Sequence, residues 1–284
     1  MSPAEKNPVR VNLIACGDLG TAVASELANR GDQPLALRRN IAALPANLPA
    51  LSLDYGDPAS LLQLADHPAD ITLLTPTPPA RDVEGYRQGY LRPVENLLSL
   101  WQDLPPQRLI YVSSTRVYGD AGGAWVDEAS PLAPADGQAE VLVAAEQALL
   151  DSHHKVAVVR FSGIYGRSPS RLLKRIQAGD IVTREPAHYS NRIHRDDCVG
   201  FLMHLVDREE WAPVYLASDD QPALSHEVES WLAAQLGVVD PRETVAPPAG
   251  SRRCRNALMR ASGYALRYPD YRAGYGAMLA LKAP

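Results

Sequence analysis

Short apolar runs alternate with amphipathic segments along the first part of the chain. Val9–Ile14 is a β-branched, apolar run of the kind that forms a buried strand. Leu19, Val23 and Leu27 then recur at helical spacing. The further predicted strands are Pro34–Leu37, Leu51–Asp54, Ala69–Leu74, Arg108–Val112 and Val156–Phe161. Strands that alternate with helices predict an α/β fold with a doubly wound, mainly parallel sheet.

A glycine-rich turn, Ala15–Gly20, joins the first strand to the first helix. In such a unit the glycines tighten the turn, and the helix N-terminus offers unpaired N–H groups to a diphosphate. The turn departs from the G-x-G-x-x-G pattern at Ala15, and we expect a slightly wider turn that still binds. The alternative is a βαβ unit without a ligand. The candidate cofactor-binding residues of the turn are Ala15, Gly17, Asp18, Leu19 and Gly20.

The end of the second strand indicates which dinucleotide binds. An NAD site usually has Asp or Glu there, which accepts a hydrogen bond from the ribose 2′-hydroxyl, whereas an NADP site has basic side chains. This strand ends in Arg38 and Arg39 with no acid. Guanidinium groups can bind a 2′-phosphate in bidentate fashion, so NADP is favoured over NAD. The alternative is that one arginine is only a solvated strand-end charge. Further candidates, near the adenine and at the end of the fourth strand, are Asp54, Tyr55, Thr75 and Pro76. The loop Thr75–Pro79 follows the fourth strand, and we expect it to line the cofactor crevice.

Helix signals follow the strands. Gly31 is a predicted C′ residue of the first helix, and Asp57 is a predicted N-cap with Pro58 at the first helical position. A long helical pattern runs over Val83–Trp101, in which Pro93 predicts a kink. The other predicted helices are Ala139–Asp151, Arg171–Ala178, one capped by Asp196, Leu224–Leu236, one capped by Asn256, and Arg272–Leu281.

The alternation of strands and helices loosens after Phe161. Ser162–Arg167 is a predicted loop, and Val214–Ala217 is a later predicted strand. We expect a dinucleotide-binding domain over residues 1–161, rejoined by about 193–207. A smaller substrate-binding lid is expected at the C-terminal side, over 162–284.

Composition narrows the class of protein. The chain has 284 residues, of which 46% are hydrophobic, so it can bury a large core. A net charge of -5 argues against a nucleic-acid partner. No stretch is long enough for a membrane span, and residues 1–10 are polar rather than a signal peptide. Three widely spaced cysteines form neither a disulfide framework nor a zinc motif, so we expect a cytoplasmic protein.

Several blocks in order resemble the extended short-chain dehydrogenase/reductases, the superfamily of nucleotide-sugar epimerases and dehydratases. Besides the glycine turn, the matching blocks are Ser113–Asp120, Asp127–Glu128 with Pro131 and Pro134, Ala145–Glu146, Gly163–Gly166 and Asn191–Asp197. Residues 251–256 and 266–272 resemble an atypical bacterial branch. The resemblance implies a Rossmann fold, a nicotinamide cofactor and a small-molecule substrate, such as an anionic or nucleotide-linked sugar. It also implies a homodimer through the helices after Arg81 and Ala139, although Pro93 interrupts the first.

The chain departs from this family at the catalytic pair. The family has Tyr-x-x-x-Lys before the Ala-Glu of the helix. Counting back from Glu146 places Gln138 and Leu142 at those two positions. Glutamine does not titrate and leucine carries no charge, so the family mechanism cannot be carried over whole. Ser114 remains, and in the family this residue hydrogen-bonds the reacting oxygen. Its alternative role is a strand-end hydroxyl that is satisfied by backbone.

Other residues can replace the missing acid. Tyr165 follows the sixth strand, where substrate is expected, and His194 titrates near neutrality. The alternative for each is packing or a structural hydrogen bond. Tyr118 and Tyr86 are more distant candidates. The candidate catalytic residues are therefore Ser114, Tyr165 and His194.

Two further clusters also have alternative explanations. Asp196 and Asp197, beside His194 and Cys198, are metal-ligand types. A helix N-cap and a first-turn acid explain the two aspartates, so no metal site is predicted. A basic cluster before a later helix can clasp an anionic substrate group or form a solvated face; its members are Arg252, Arg253 and Arg255.

Two hypotheses for the function follow. As an enzyme, an oxidoreductase or isomerase, the protein would move a hydride to or from a carbinol or carbonyl. Ser114 would hold the oxygen, and a non-standard residue would supply the proton. The alternative, which follows from the missing Tyr and Lys, is a non-catalytic NADP-binding sensor or partner-binding module.

Overall fold

The computed structural model describes residues 7–105, 107–167 and 170–280. The chain divides into two compact units, each built from three segments. The first unit comprises Met1–Ser113, Asp136–Val159 and Phe201–Val214, and the second comprises Ser114–Ala135, Arg160–Gly200 and Tyr215–Pro284. The start of the polar N-terminal stretch and the predicted helix end at Leu281 lie outside the described residues. Among those that are described, no helix has the length and apolar character that a membrane crossing requires.

Strands and helices largely alternate in the first unit, whereas in the second unit several strands follow one another directly. The strands are β1 (Arg10–Ile14), β2 (Gln33–Arg38), β3 (Ala50–Ser52), β4 (Ile71–Leu74), β5 (Arg108–Ser114), β6 (Trp125–Val126), β7 (Lys155–Phe161), β8 (Gly163–Tyr165), β9 (Asp180–Val182), β10 (Tyr189–Ser190), β11 (Arg192–His194), β12 (Val214–Ala217), β13 (Ala223–Leu224), β14 (Arg242–Val245) and β15 (Arg253–Cys254). The α-helices are α1 (Asp18–Asn29), α2 (Pro58–Leu61), α3 (Val83–Tyr86), α4 (Arg92–Leu100), α5 (Gly137–Leu150), α6 (Arg171–Gln177), α7 (Arg195–Val206), α8 (Ser225–Gln235), α9 (Ala257–Ala261) and α10 (Tyr271–Ala280).

A seven-stranded sheet in the order β12-β7-β5-β4-β1-β2-β3 is the main sheet of the protein. The pairs from β3 through β2, β1 and β4 to β5 are parallel. The strand order reverses between β1 and β4, which is the switch point where ligands bind in doubly wound sheets, outside the carboxyl ends of the strands. The predicted Rossmann-type α/β fold is confirmed.

The β1–α1–β2 unit forms as its pattern predicts. Val11, Leu13 and Ile14 of β1 are fully buried, as expected for a strand that is covered on both faces. Gly31 follows α1 with a φ of 88°, a conformation that glycine adopts without steric cost. The N–H of Gly31 donates to Ala28 O at 3.1 Å, and the next N–H donates to Leu27 O at 3.0 Å. These two bonds form a Schellman motif that ends the helix.

The long helical pattern over Val83–Trp101 is interrupted in the structure. A π-helical segment, Arg87–Leu91, separates α3 from α4. Pro93, which has no N–H to donate, lies in the first turn of α4 directly after this segment. A β-carbon at Gly89 would lie 2.6 Å from the Pro78 Cα, so the segment packs directly on the loop that follows β4. The wider π-helical turn therefore comes directly before the turn that contains Pro93, and the π-helical segment packs against the loop after β4.

Four local predictions can be compared with the structure. Asp57 caps α2 as predicted, because its side chain accepts from Ala59 N at 3.0 Å. The predicted cap at Asp196 is wrong, because α7 begins one residue earlier and Asp196 lies in its first turn. Asn256 precedes α9, but its side chain makes no cap bond and donates to Ser218 O. The predicted loop Ser162–Arg167 is wrong in its central part, because β8 pairs in parallel with β11, a partner distant in sequence.

Candidate functional site

The glycine turn lies at the carboxyl end of β1, beside the ends of β2 and β4. Ala15 has a φ of 57°, the left-handed region that costs a non-glycine residue roughly 1–2 kcal/mol. Cys16 N donates to Leu37 O at 3.0 Å, and Thr75 Oγ1 donates to Ala15 O at 3.0 Å. Hydrogen bonds on the sides of β2 and β4 therefore hold the turn, and Ala15 adopts a strained left-handed backbone conformation within it.

The two glycines of the turn differ in how much space surrounds them. A β-carbon at Gly17 would make an ordinary contact, 3.7 Å from Ala15 O. A β-carbon at Gly20 would lie 3.1 Å from Thr75 Oγ1 and 3.3 Å from Cys16 Sγ. Gly20 thus allows α1 to approach the strands closely, which aims the helix N-terminus at the edge of the sheet where a diphosphate is expected.

Two adjoining cavities open beside this turn, both within the first unit. The first has a volume of about 180 Å³ and is lined by Ala15, Cys16, Gly17, Arg38, Arg39, Asn40, Tyr55 and Thr77. The second has a volume of about 310 Å³ and is lined by Arg39, Asp54, Tyr55, Gly56, Asp57, Thr77, Pro78, Pro79, Gln88 and Arg92. They share Arg39, Tyr55 and Thr77 in their linings, and we call the two adjoining cavities together the cofactor cleft.

The two arginines at the end of β2 are held differently. Arg38 Nη1 donates to Cys16 O at 3.3 Å, which ties this guanidinium to the glycine turn. The Arg39 side chain is 69% exposed, and its Nη1 lies 3.9 Å from Asp54 Oδ2. Arg38 is thus engaged by the protein, whereas Arg39 extends into solvent over the cleft.

The residues expected near the adenine also line the cleft. Asp54 Oδ1 accepts from Gly56 N at 3.0 Å, which fixes the carboxylate in a tight turn. Tyr55 OH donates to Thr77 O at 3.4 Å, and burial raises the pKa of Tyr55. The side chain of Tyr55 therefore stays a neutral wall between the two cavities.

The cleft includes some sequence candidates and leaves others outside its lining. Ala15, Gly17, Arg38 and Arg39 line it together with the two adenine-side residues. The candidates that do not line either cavity are Asp18, Leu19, Gly20, Thr75 and Pro76. Thr77, Pro78 and Pro79 also line the cleft, and they belong to the loop after the fourth strand that the sequence predicts at the crevice. Lining residues that sequence reasoning missed are Cys16, Asn40, Gly56, Asp57, Gln88 and Arg92. Gln88 lies in the π-helical segment and Arg92 directly after it, and no sequence pattern predicts either position.

Gln138 and Leu142, which the sequence count places at the positions of the family's catalytic pair, lie on α5 in the first unit. Gln138 Nε2 donates to Arg81 O at 2.6 Å, and Leu142 is buried in the core. One turn further on, the buried Glu146 accepts from Ser113 Oγ. Gln138 thus fixes the backbone before α3, while Leu142 contributes to packing.

Ser114 lies in the second unit, where it begins a short 3₁₀ turn. Its Oγ accepts from Arg116 N at 3.2 Å, which caps the turn Thr115–Tyr118. This bond uses a lone pair of the hydroxyl and not its proton. Tyr118, a more distant candidate, is buried, and its OH accepts from Arg160 Nη1 at 2.8 Å.

Tyr165 and His194 are neighbours in the β8–β11 pair of the second unit. Their rings meet edge to face at 5.2 Å, and the Tyr165 ring stacks on Tyr275 at 4.4 Å. The Tyr165 hydroxyl is buried against Gly274 and has no hydrogen-bond partner in the part of the chain that the structure describes. Burial raises the pKa of Tyr165 further above its ordinary value. A phenol in this environment holds its proton.

His194 is enclosed at the start of α7. Its Nδ1 accepts from Asp196 N at 3.2 Å, so the imidazole takes the place of a capping side chain. The ring lies 4.0 Å from that of Tyr268, and a β-carbon at Gly166 would lie 2.7 Å from Nε2. Burial lowers the pKa of His194, which favours the neutral imidazole.

The two suspected clusters of the second unit are engaged by the protein itself. Asp197 accepts from Tyr264 OH, Arg267 N and Tyr268 N at 3.0, 2.7 and 3.0 Å. Arg252 Nη1 donates to Gly119 O. The guanidinium of Arg253 lies over the rings of Trp125 and Tyr189 at 5.1 and 4.9 Å, and that of Arg255 lies 5.6 Å from Trp125. The arginines therefore do not present one common basic face.

The fold and the cleft define a family of nucleotide-binding proteins. The chain belongs to the NAD dependent epimerase/dehydratase family, whose model matches residues 15–205. The resemblance seen in the sequence is thereby confirmed, and with it the assignment to NAD(P)-binding proteins of the epimerase/dehydratase type.

Individual relatives agree with this assignment. Protein YeeZ of Escherichia coli (strain K12) is 26% identical over 279 residues, which cover 92% of this chain and 97% of that protein. A proposed NAD-dependent epimerase/dehydratase from Methylobacillus flagellatus is 32% identical, with a TM-score of 0.81 over 96% of this chain and 98% of that one. The Bordetella bronchiseptica enzyme WbmG, solved with NAD and UDP, has the same fold at 16% identity, with a TM-score of 0.79 over 96% and 94% of the two chains.

Proposed function

We propose that this protein binds NADP(H) in the cofactor cleft in preference to NAD(H). The observation that carries the proposal is the 180 Å³ cavity beside the glycine turn, which is lined by Arg38 and Arg39 and by no acidic residue. A 2′-phosphate carries about -1.5 to -2 charges at neutral pH, and in this cavity it would lie close to two guanidinium groups. The strained Ala15 and the close-packed Gly20 fit a turn that presents backbone N–H groups to a diphosphate.

We propose an oxidoreductase or isomerase that acts on a carbonyl or carbinol of a small molecule. The bound dinucleotide would supply the hydride acceptor or donor. Ser114 keeps its hydroxyl proton available for an oxygen of the substrate, while its lone pair is used by Arg116 N. Tyr165 and His194 remain the candidates for the proton donor. The UDP bound to WbmG supports a nucleotide-linked or otherwise anionic sugar as substrate.

A second candidate function is a non-catalytic NADP sensor or partner-binding module. It is supported by Gln138 and Leu142, which the sequence count places at the family's acid–base positions: Gln138 donates to a backbone carbonyl, and Leu142 packs in the core. We further propose a homodimer and a cytoplasmic location. Three unpaired, buried cysteines support a reducing compartment.

Calorimetric titration with NADPH and NADH tests the cofactor proposal. Wild type is expected to bind NADPH at least about tenfold more tightly, the equivalent of one additional charge-assisted interaction of about 1.4 kcal/mol. Arg39→Ala is expected to remove most of this preference, and Arg38→Ala to weaken both dinucleotides because Arg38 also holds the glycine turn. Arg10→Ala, which alters an arginine that pairs with Asp70 away from the cleft, is the matched control and should leave both affinities unchanged. Equal or tighter binding of NADH by wild type contradicts the proposal.

Turnover separates the two candidate functions. Purified protein with NADPH or NADP⁺ is offered a panel of carbonyl compounds and nucleotide sugars. Net oxidation or reduction of the nicotinamide is followed by absorbance, and isomerised product is followed by chromatography. Redox turnover that falls by about 10²-fold or more in Ser114→Ala supports the enzyme. No turnover across the panel, together with a protein partner whose affinity depends on the redox state of NADP, supports the sensor.

A further inference from the structure

Two carboxylates line the 310 Å³ cavity of the cofactor cleft, and they face different surroundings. Asp57 accepts from Ala59 N at 3.0 Å and caps α2. Asp54 accepts from Gly56 N through Oδ1, while Oδ2 lies 3.9 Å from Arg39 Nη1. No ion pair joins Asp57 to an arginine or lysine among the described residues. Of the two acids, Asp54 is therefore the one that is coupled to a cofactor-site arginine.

The contact between Asp54 and Arg39 is of a kind that a ligand can replace. The two side chains are 44% and 69% exposed, and their closest charged atoms are 3.9 Å apart. Exposed ion pairs of this length contribute little to stability, so their members exchange partners easily. Asp54 itself cannot move far, because its other oxygen is fixed by the turn at Gly56. The mobile member of the pair is Arg39, which lines both cavities.

We propose that Asp54 sets how strongly the cleft discriminates between NADP(H) and NAD(H), by competing with a 2′-phosphate for Arg39. This inference rests on the proposed function, which places the 2′-phosphate beside Arg38 and Arg39. A phosphate would draw Arg39 away from Asp54, and the fixed carboxylate would also repel the phosphate directly. Both effects weaken NADPH and leave NADH, which carries a hydroxyl there, nearly unchanged.

The competition has a functional meaning. Two arginines without a nearby carboxylate would bind NADPH still more tightly and leave the affinity for NADH nearly the same. With Asp54 in place, the affinity advantage that the 2′-phosphate gives NADP(H) over NAD(H) is smaller. In a cell with more NAD(H) than NADP(H), the protein could then bind either dinucleotide. Arg92, the other cation of the cavity, lies 3.4 Å from Glu84 and does not replace Arg39 as the partner of Asp54.

The test compares Asp54→Asn with Asp57→Asn by calorimetric titration with NADPH and NADH. Each variant removes one negative charge from the same cavity and keeps a side-chain oxygen that can accept the local backbone N–H. A phosphate with nearly two negative charges is repelled by a nearby carboxylate even in water, and dissolved salt reduces this repulsion. Asp54→Asn is therefore expected to raise the NADPH:NADH affinity ratio by about three- to tenfold. Asp57→Asn should change the ratio by less than about twofold.

Using the ratio makes the outcome specific. Any contact of Asp54 with the adenosine that both dinucleotides share cancels in it. In the Arg39→Ala background the effect of Asp54→Asn should shrink to the part that comes from direct repulsion. An unchanged ratio in Asp54→Asn, or an equal rise in Asp57→Asn, overturns the inference.

The two proposals can fail separately. If wild type prefers NADH, the NADP preference is wrong, yet a ratio that still rises in Asp54→Asn supports the role of Asp54. If wild type prefers NADPH and Asp54→Asn leaves the ratio unchanged, only the role of Asp54 is overturned. Binding of neither dinucleotide by wild type overturns both.

Discussion

The polar groups of the protein differ in how accessible they are in two regions. One region is the cofactor cleft of the first unit, and the other is the Tyr165–His194 region of the second unit. In the cleft, Arg39 is largely exposed and lightly held, and Asp54 keeps one carboxylate oxygen accessible while the other accepts from Gly56 N. In the second unit, Tyr165 and His194 are enclosed by rings and by glycines that leave no space beside them. A group that is to bind a ligand needs spare hydrogen-bonding capacity and access, which the first region offers. The type of a residue alone does not indicate whether its side chain has this capacity or this access.

The same contrast extends to buried carboxyl groups. Asp219 of the second unit is 1% exposed, and its Oδ2 has no hydrogen-bond partner among the described residues. Its backbone N–H donates to Arg192 O at 2.7 Å. Burial raises the pKa of Asp219 to about 8, opposed by the charge of Arg192 and reinforced by Asp220 and Asp270. The second unit thus holds a carboxyl that is neutral at pH 7, whereas the acids of the cleft are at its surface.

Asp219→Asn is expected to have the largest effect, on the pH dependence of stability. The folded-state pKa of about 8 lies above the unfolded value of about 3.9, so the unfolded chain loses this proton first as pH rises. Stability from this group is full below about pH 4 and is lost between about pH 4 and pH 8, at up to about 1.4 kcal/mol per pH unit. Asparagine does not titrate, so urea unfolding should show a flatter pH profile for the variant. Parallel profiles for the two proteins would contradict the raised pKa.

Gly274→Ala tests how tightly the second unit encloses Tyr165. A β-carbon there would collide with the Tyr165 hydroxyl, which is fixed by its stack on Tyr275. We expect a loss of about 3 kcal/mol in the free energy of unfolding, because overpacking in a filled region forces a shift of backbone or ring. Gly276→Ala, in the same helix with no atom within 4 Å of the new carbon, should instead add about 0.5–1 kcal/mol. Equal effects of the two alanines in thermal or urea unfolding would show that Tyr165 is free to move.

Ala15→Gly should have the smallest effect, in the turn of the cofactor cleft. It removes a left-handed strain of roughly 1–2 kcal/mol and adds a glycine entropy cost of about 0.5–1 kcal/mol. The expected net result is a gain of about 0.5 kcal/mol in the free energy of unfolding. Ala28→Gly, within α1, should lose about 1 kcal/mol instead. A destabilised Ala15→Gly variant would mean that Ala15 does not carry strain.

The sequence predicts those elements whose signals are local. The apolar run of β1, the end of α1 at Gly31 and the cap at Asp57 each depend on a few adjacent residues, and all three form. The β8–β11 pair could not be predicted, because Gly163 and Arg192 lie far apart in sequence and neither segment alternates strongly. His194 escaped recognition as the group at the start of α7 because imidazole is not a usual cap.

The candidate site was predictable on the side of β2 and less so on the side of the helices. Arg38 and Arg39 follow from their place at a strand end. Gln88 and Arg92 reach the cleft because the π-helical segment packs on the Pro78 backbone at Gly89. This contact joins two separate chain segments, so no periodic pattern in the sequence predicts it. The roles of Ser114, Tyr165 and His194 stay predictions.

The division of the chain into two units has a consequence at the level of the gene. Six alternating segments mean that the polypeptide crosses from one unit to the other five times. The coding sequence of either unit is therefore interrupted by that of the other. A single truncation or a two-point recombination cannot delete, duplicate or transplant one unit whole.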